Sequence, residues 1–267
     1  MKNSIISRYQ NGEAFTKIAK DIGKSANFVR SILVKNQIKI RDLSQSHEIY
    51  SFDKGFFKKI DTEQKAYILG FLYADGNVCK NVLQVCLHKK DIEILTLIKT
   101  ALQSNHPIVN DRGYVRFRIG NKELTQDLIK LGLVERKTFI LKFPTYEIVP
   151  KELRRHFIRG YFDGDGCVKR GFDKKYKNQT WAFELISCLD FLAQVNYILK
   201  EEAGLNLANL TKEKRRSNPI YYLRHGGTSK RRVSLIYEYL YQDSEFFLTR
   251  KKEKFDLILN HYKTHDK

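Results

Sequence analysis

Asp75 and Asp165 each close an apolar, aromatic stretch, "AYILGFLYADG" at 66–76 and "HFIRGYFDGDG" at 156–166. The C-terminal end of a helix is the negative end of its dipole, so an acid there is disfavoured and a cation is welcome. Two such ends lying side by side offer two hard oxygen ligands, the donor type that Mg²⁺ prefers. One "ADG" turn alone is an ordinary helix terminus. Two copies, each followed by a strand-like pattern, point to a shared metal site. "DGDG" lacks the ligand series of a calcium-binding helix–loop–helix. A divalent cation held this way can activate a bound water and neutralise developing negative charge. That chemistry needs no histidine-based acid–base pair, and the sequence offers no convincing one.

The elements that must position these acids are legible around them. Tyr67, Ile68, Phe71 and Leu72 fall on one helical face, as do Phe157, Ile158, Tyr161 and Phe162. Gly70 and Gly160 lie on the same stripes. A helix-interior glycine costs about 1 kcal/mol, so these two predict a close approach of the paired helices. After each helix the pattern changes to period two, at 81–88 and 114–120, then at 179–187 and 219–225. Helical stretches at 91–103 and 189–203 lie between them, so each half reads α-β-β-α-β-β-α. Arg116 and Arg118 share one strand face, and Arg224 lies in the matching strand of the second half. An antiparallel sheet with a basic face can lie in the major groove. Lys80, Arg116, Arg118, Lys169, Lys174, Lys175 and Arg224 are the candidate DNA contacts in these strands and turns.

Net charge supports a polyanionic partner. The 267 residues carry 49 Lys and Arg against 30 Asp and Glu, a balance of +19. Residues 1–60 hold 12 basic and 5 acidic side chains, 61–150 hold 13 and 10, and 151–267 hold 24 and 15. The excess therefore lies at the front and in the last third, as nucleic-acid binding requires. The longest apolar run around the first motif, Tyr67–Ala74, is far short of the roughly 20 residues needed to span a bilayer. No exposed Lys/Arg helix with a broad apolar face suggests a membrane-surface protein. The four cysteines have no zinc spacing and read as reduced thiols. Together these features predict a soluble intracellular protein, without membrane attachment.

Residues 1–42 read as a small all-α domain. Ile5, Ile6 and Tyr9 mark one helix, ended by Gly12; Phe15, Ile18, Ala19 and Ile22 mark a second, stopped by Gly23. Ser25 is suited to cap a third, with Phe28, Val29, Ile32 and Leu33 on its inner face. The pattern is a helix-turn-helix, whose second helix reads the major groove from its N-terminal end. Ser25, Asn27 and Arg30 are the candidate reading residues, with Lys24 on the phosphate backbone. Residues 43–60 lack clean periodicity and read as a linker with a few anchoring aromatics.

The paired motifs, with their lead-in "IDTEQKAYILGFLYADG" and the stretch "LIKLGLVERKTFILKFP" before the second, resemble single-chain LAGLIDADG homing endonucleases over roughly residues 60–260. The resemblance implies an α+β fold of two pseudo-symmetric αββαββα halves, at 61–150 and 151–267. Their antiparallel sheets would form a saddle on double-stranded DNA, with the motif helices as the interface of an internal pseudo-dimer in a monomer. It implies Mg²⁺ or another divalent cation held by Asp75 and Asp165, with the carbonyls of Ala74 and Gly164 beside them, and a staggered double-strand break. A family lysine that organises the attacking water maps onto Lys137 in "VERKT" and Lys251 in "LTRKK", chosen over Lys122 and Lys230. A polar side chain near that water maps onto His88 and Ser187, also candidate DNA contacts. Tyr73 departs from the family pattern where Asp163 keeps it, which marks the first half as the weaker cutter. The alternative within the same fold is a non-cleaving or bifunctional nucleic-acid-binding protein, an intron maturase or a transcription regulator.

Overall fold

The computed structural model describes residues 1–11, 13–40, 50–134, 140–214 and 219–265. They form two compact units, 1–52 and 53–267.

The first unit holds α1 (Lys2–Gln10), α2 (Phe15–Asp21) and α3 (Ala26–Lys35). Its core is Ile5, Tyr9, Ile18, Ala19, Val29 and Leu33. The turn between α2 and α3 runs through Gly23 at φ +65°, a left-handed conformation that glycine adopts without steric cost. The Ser25 hydroxyl then caps α3 by accepting from Phe28 N at 3.2 Å. The inner face of α3 differs from the sequence reading at Phe28, which is 39% exposed. Val29 and Leu33 set the phase of the buried stripe, and one residue earlier the helix has already turned outward. Gly12 lies outside the described residues.

In the second unit, residues 53–60 are part of the packed body. Asp53 N donates to Leu102 O, and Phe56, Phe57 and Ile60 are buried. The assigned linker therefore ends before these anchoring aromatics, which have core to fill. Each half then repeats one order. The first is α4 (Glu63–Asp75), β1 (Gly76–Cys79), β2 (Val82–His88), α5 (Ile92–Ala101), β3 (Ile108–Asp111), β4 (Tyr114–Gly120) and α6 (Lys122–Lys130). The second is α7 (Arg154–Asp165), β5 (Cys167–Asp173), β6 (Asn178–Ser187), α8 (Leu189–Ala203), β7 (Thr211–Lys212), β8 (Tyr221–Gly227) and α9 (Lys230–Tyr241). A further helix, α10 (Thr249–His265), follows.

Both sheets are antiparallel and share one topology, β1-β2-β4-β3 and β5-β6-β8-β7. Alternation along β4 buries Val115, Phe117 and Ile119 and exposes Tyr114, Arg116, Arg118 and Gly120. Helices α5 and α6 pack on the first sheet, and α7 and α8 on the second. The motif helices α4 and α7 pack against each other more extensively than any other pair. Residues 66–73 of α4 are all buried, which explains why its apolar residues surround the helix rather than forming a stripe.

Candidate active site

Backbone contact sets the position of the two acids. A Cβ placed at Gly70 would stand 2.0 Å from Phe157 O, and one at Gly160 would stand 2.0 Å from Tyr67 O. Only residues without a side chain let the helices touch here, and they do so reciprocally. The contact continues to the helix ends. A Cβ at Gly164 would meet Ala74 Cβ at 2.2 Å and Asp75 Oδ2 at 3.0 Å. Asp75 and Asp165 are the last residues of α4 and α7, and Gly76 and Gly166 turn each helix directly into extended backbone. The two negative helix ends thus meet at one place, with Asp165 exposed and Asp75 half-buried.

Lys251 reaches this place from α10. Its side chain is only 4% exposed, and Nζ donates to Phe162 O at 2.6 Å, Gly164 O at 3.1 Å and Gly166 O at 2.7 Å. An ammonium on the carbonyls of a helix C-terminus satisfies orphan acceptors and opposes the dipole. Burial lowers the pKa of Lys251 to about 8, opposed by the charges of Asp163, Asp75 and Asp165. Both aspartates also act on the Tyr161 hydroxyl, which burial and then Asp165 push up. Tyr161 donates to Ile186 O at 2.9 Å.

Asp163 is a separate element of the same corner. It is fully enclosed and accepts from Tyr67 Oη at 2.8 Å, Tyr241 Oη at 3.0 Å and Leu248 N at 2.7 Å. Burial raises it to about 6 against the pull of these donors. Tyr73, at the matching place of the first motif, donates instead to Leu131 O at 2.6 Å. Both residues dock the segment that follows the last helix of their half, one as acceptor and the other as donor. The departure from the repeat is therefore met by a change of partner.

The remaining residues from the sequence reading divide by face. Arg116, Arg118 and Arg224 lie on exposed strand faces, and Lys169 and Arg224 both pair with Glu184, at 2.5 Å and 3.4 Å. Lys80 lies in the β1–β2 turn, and Lys174 and Lys175 lie in the β5–β6 turn. His88 is exposed at the end of β2, where its ring meets Tyr114 edge-on. Ser187 differs from expectation. It is buried on the helix-facing side of β6 beside the Tyr161 hydroxyl, so the structure does not bring it to the exposed face. Lys137 lies outside the described residues. In the first unit Lys24, Ser25, Asn27 and Arg30 are all exposed around the start of α3.

Sequence reasoning missed a buried network at the opposite end of the motif helices. Arg159 is fully buried and donates to Glu63 Oε1 at 2.6 Å, Leu240 O at 2.8 Å and Phe246 O at 2.7 Å. Glu63 also accepts from Glu245 N at 2.9 Å. The signal was present: Arg159 interrupts the second motif where the first has Leu69, and a charge in a buried helix requires partners.

No group of three or more His, Cys, Asp or Glu side chains suited to a metal occurs among the described residues. The donors that could hold a divalent cation are the two carboxylates at the adjoining helix ends, while Gly164 O beside them already accepts from Lys251 Nζ. Mg²⁺ commonly takes one or two protein carboxylates and completes its shell with water and substrate phosphate.

Residues 152–237 match the LAGLIDADG-like domain family. Among solved structures, the fold is similar to the I-LtrWI LAGLIDADG homing endonuclease bound to target DNA. That match has 16% identity and a TM-score of 0.52, covering 76% of this chain and 92% of that one. Meganuclease I-SmaMI bound to uncleaveable DNA is similar at 17% identity and TM-score 0.53, covering 78% and 92%. LAGLIDADG meganuclease I-AabMI bound to uncleaved DNA is similar at 16% and 0.51, covering 76% and 92%. Among curated proteins, none matches the sequence. The chain thus carries a LAGLIDADG-like domain and has the two-half fold of single-chain LAGLIDADG homing endonucleases.

Proposed function

We propose that this LAGLIDADG-fold protein is a site-specific DNA endonuclease that makes a metal-dependent, staggered double-strand break in a long target. The observation that carries this reading is the meeting of Asp75 and Asp165 at the touching C-terminal ends of α4 and α7. Retention of both acids favours cleavage over a maturase or regulator that keeps only the scaffold. Arg116, Arg118 and Arg224 on exposed strand faces, with Lys80, Lys169, Lys174, Lys175 and His88, would bind the duplex. The exposed start of α3, with Lys24, Ser25, Asn27 and Arg30, would read a further segment of DNA.

Within the site, Asp75 and Asp165 would hold Mg²⁺ or another divalent cation, with Gly164 O and Ala74 O beside them. The cation, when bound, supplies charge neutralisation and water activation. Lys251 binds the carbonyls of the α7 terminus, and from there it would organise the attacking water. Lys137 would serve the first half in the same way.

The test is strand cleavage by acid variants. Asp75→Asn and Asp165→Asn should each lower double-strand cleavage by on the order of a hundredfold or more, a loss typical of removed transition-state stabilisation. DNA affinity measured with Ca²⁺ should hold. Linearisation of a target plasmid at the wild-type rate by both variants would overturn the assignment.

A further inference from the structure

Four consecutive residues at the start of α10 each grip a different group. Leu248 N donates to Asp163 Oδ2 at 2.7 Å. Thr249 donates through N and Oγ1 to the two oxygens of Glu93, at 3.0 Å each. Arg250 forms a two-pronged pair with Asp91, Nε to Oδ1 at 2.6 Å and Nη2 to Oδ2 at 2.9 Å. Lys251 follows, with its ammonium on the carbonyls of Phe162, Gly164 and Gly166. Asp91 and Glu93 belong to the first half, at the corner where β2 passes into α5. Asp163 and the carbonyls of Phe162 and Gly164 belong to α7 of the second half, and Gly166 is the residue that ends it.

The physical effect is to fix the rotation of a helix. The first N–H groups of a helix lack partners within it, and its N-terminus is the positive end of the dipole, so Asp163 and Glu93 are well placed there. A paired guanidinium fork fixes direction as well as distance. Held through residues 248, 249 and 250 from separate elements, α10 cannot turn about its axis. The next side chain is thereby delivered one way. Lysine has four flexible side-chain carbons and does not select a pose unaided.

We propose that Asp91 and Glu93 are positioning residues of the first half that determine where Lys251 of the second half puts its ammonium. The two halves are then not independent cutters, because the α7 terminus is organised through acids contributed by the other half. The kinetic consequence rests on the nuclease reading above. The placement itself does not.

Two measurements on the full chain separate these. In the first, amine acetylation is followed by mass spectrometry, with exposed Lys174 as the reference. Lys251 should be protected in the wild type and react roughly tenfold faster in Asp91→Asn, Glu93→Ala and the double variant. In the second, supercoiled plasmid carrying a cleavable target is cut with Mg²⁺ at saturating protein. The variants should accumulate nicked circle, one strand slowing roughly ten- to a hundredfold, the scale of loss when a reacting group is misplaced by about an ångström. The other strand should keep its rate.

Protection of Lys251 unchanged in all three variants would overturn the proposal. So would equal slowing of both strands together with a lowered melting temperature and a still-protected Lys251, which describes a mere staple. A wild-type protein that cuts no DNA would instead remove the nuclease reading, while the acetylation result would still decide the placement.

Discussion

His156 and His225 are both buried, and burial lowers each to about 4 from the ordinary value of 6.5. Arg159 adds to the effect on His156 and Arg232 to that on His225. A folded-state pKa below the unfolded one means the unfolded chain binds more protons between the two values. Stability from these groups is thus present above pH 6.5 and is lost as pH falls toward 4. Asp163, raised to about 6, acts in the opposite sense between pH 6 and its ordinary value, but it is one group against two. The protein should therefore weaken from pH 7 to pH 5, and His225→Gln, which leaves one histidine against Asp163, should remove most of that fall. Urea melts at both values check this, and an equally steep fall in the variant would clear His225 of the role. At this scale the adjoining places of Asp75 and Asp165 were legible, since acids at repeated helix ends stand out in a chain, whereas Lys251 was marked only through the family resemblance. Asp91 and Glu93 were not legible. Their partners lie more than 150 residues away in sequence, and nothing local marks an exposed-looking acid as half of a clasp.

Among the elements, the motif helices carry the tightest demand on sequence. The carbonyls of Phe157 and Tyr67 occupy the space that a side chain at Gly70 or Gly160 would need. Even alanine cannot enter without moving backbone, so Gly70→Ala or Gly160→Ala should cost about 1–3 kcal/mol, the range for overpacked cores. Thermal melts read this directly. Unchanged melting in both variants would mean the helices separate more easily than their contact implies. The strands were legible unevenly, for a matching reason. β2, β4, β6 and β8 have one face on the core and alternate visibly, whereas β3 and β7 are edge strands with almost nothing buried and hence no pattern. The β1–β2 hairpin was hidden as well, because its turn uses Lys80 and Asn81 at φ +47° and +63° where glycine would have signalled it.

For the whole molecule, the uneven distribution of charge makes a separate demand. Residues 1–52 carry nine basic and four acidic side chains on a unit with its own core. The unit of residues 53–267 contains both sheets, both motif helices and Lys251. If the first unit reads DNA through α3, deleting residues 1–52 should remove phosphate contacts while leaving Asp75, Asp165 and Lys251 in place. Each lost contact flattens the dependence of log K on log salt by about 0.9. A small helical reader making two to four contacts should lower the slope by roughly 2–4. Affinity should fall further than the isolated unit's weak binding suggests, because tethering gives that unit a high local concentration on DNA. The protected footprint should shorten at one end only, since a single arm joins a body with two equivalent sheets. The single-turnover rate at saturating protein should hold, because no group that meets the scissile phosphate has been removed. Filter binding over a salt series, footprinting and single-turnover cleavage measure these separately. An unchanged slope and footprint would show that the arm does not touch DNA. Normal binding with lost cleavage would place the arm in the cutting step itself.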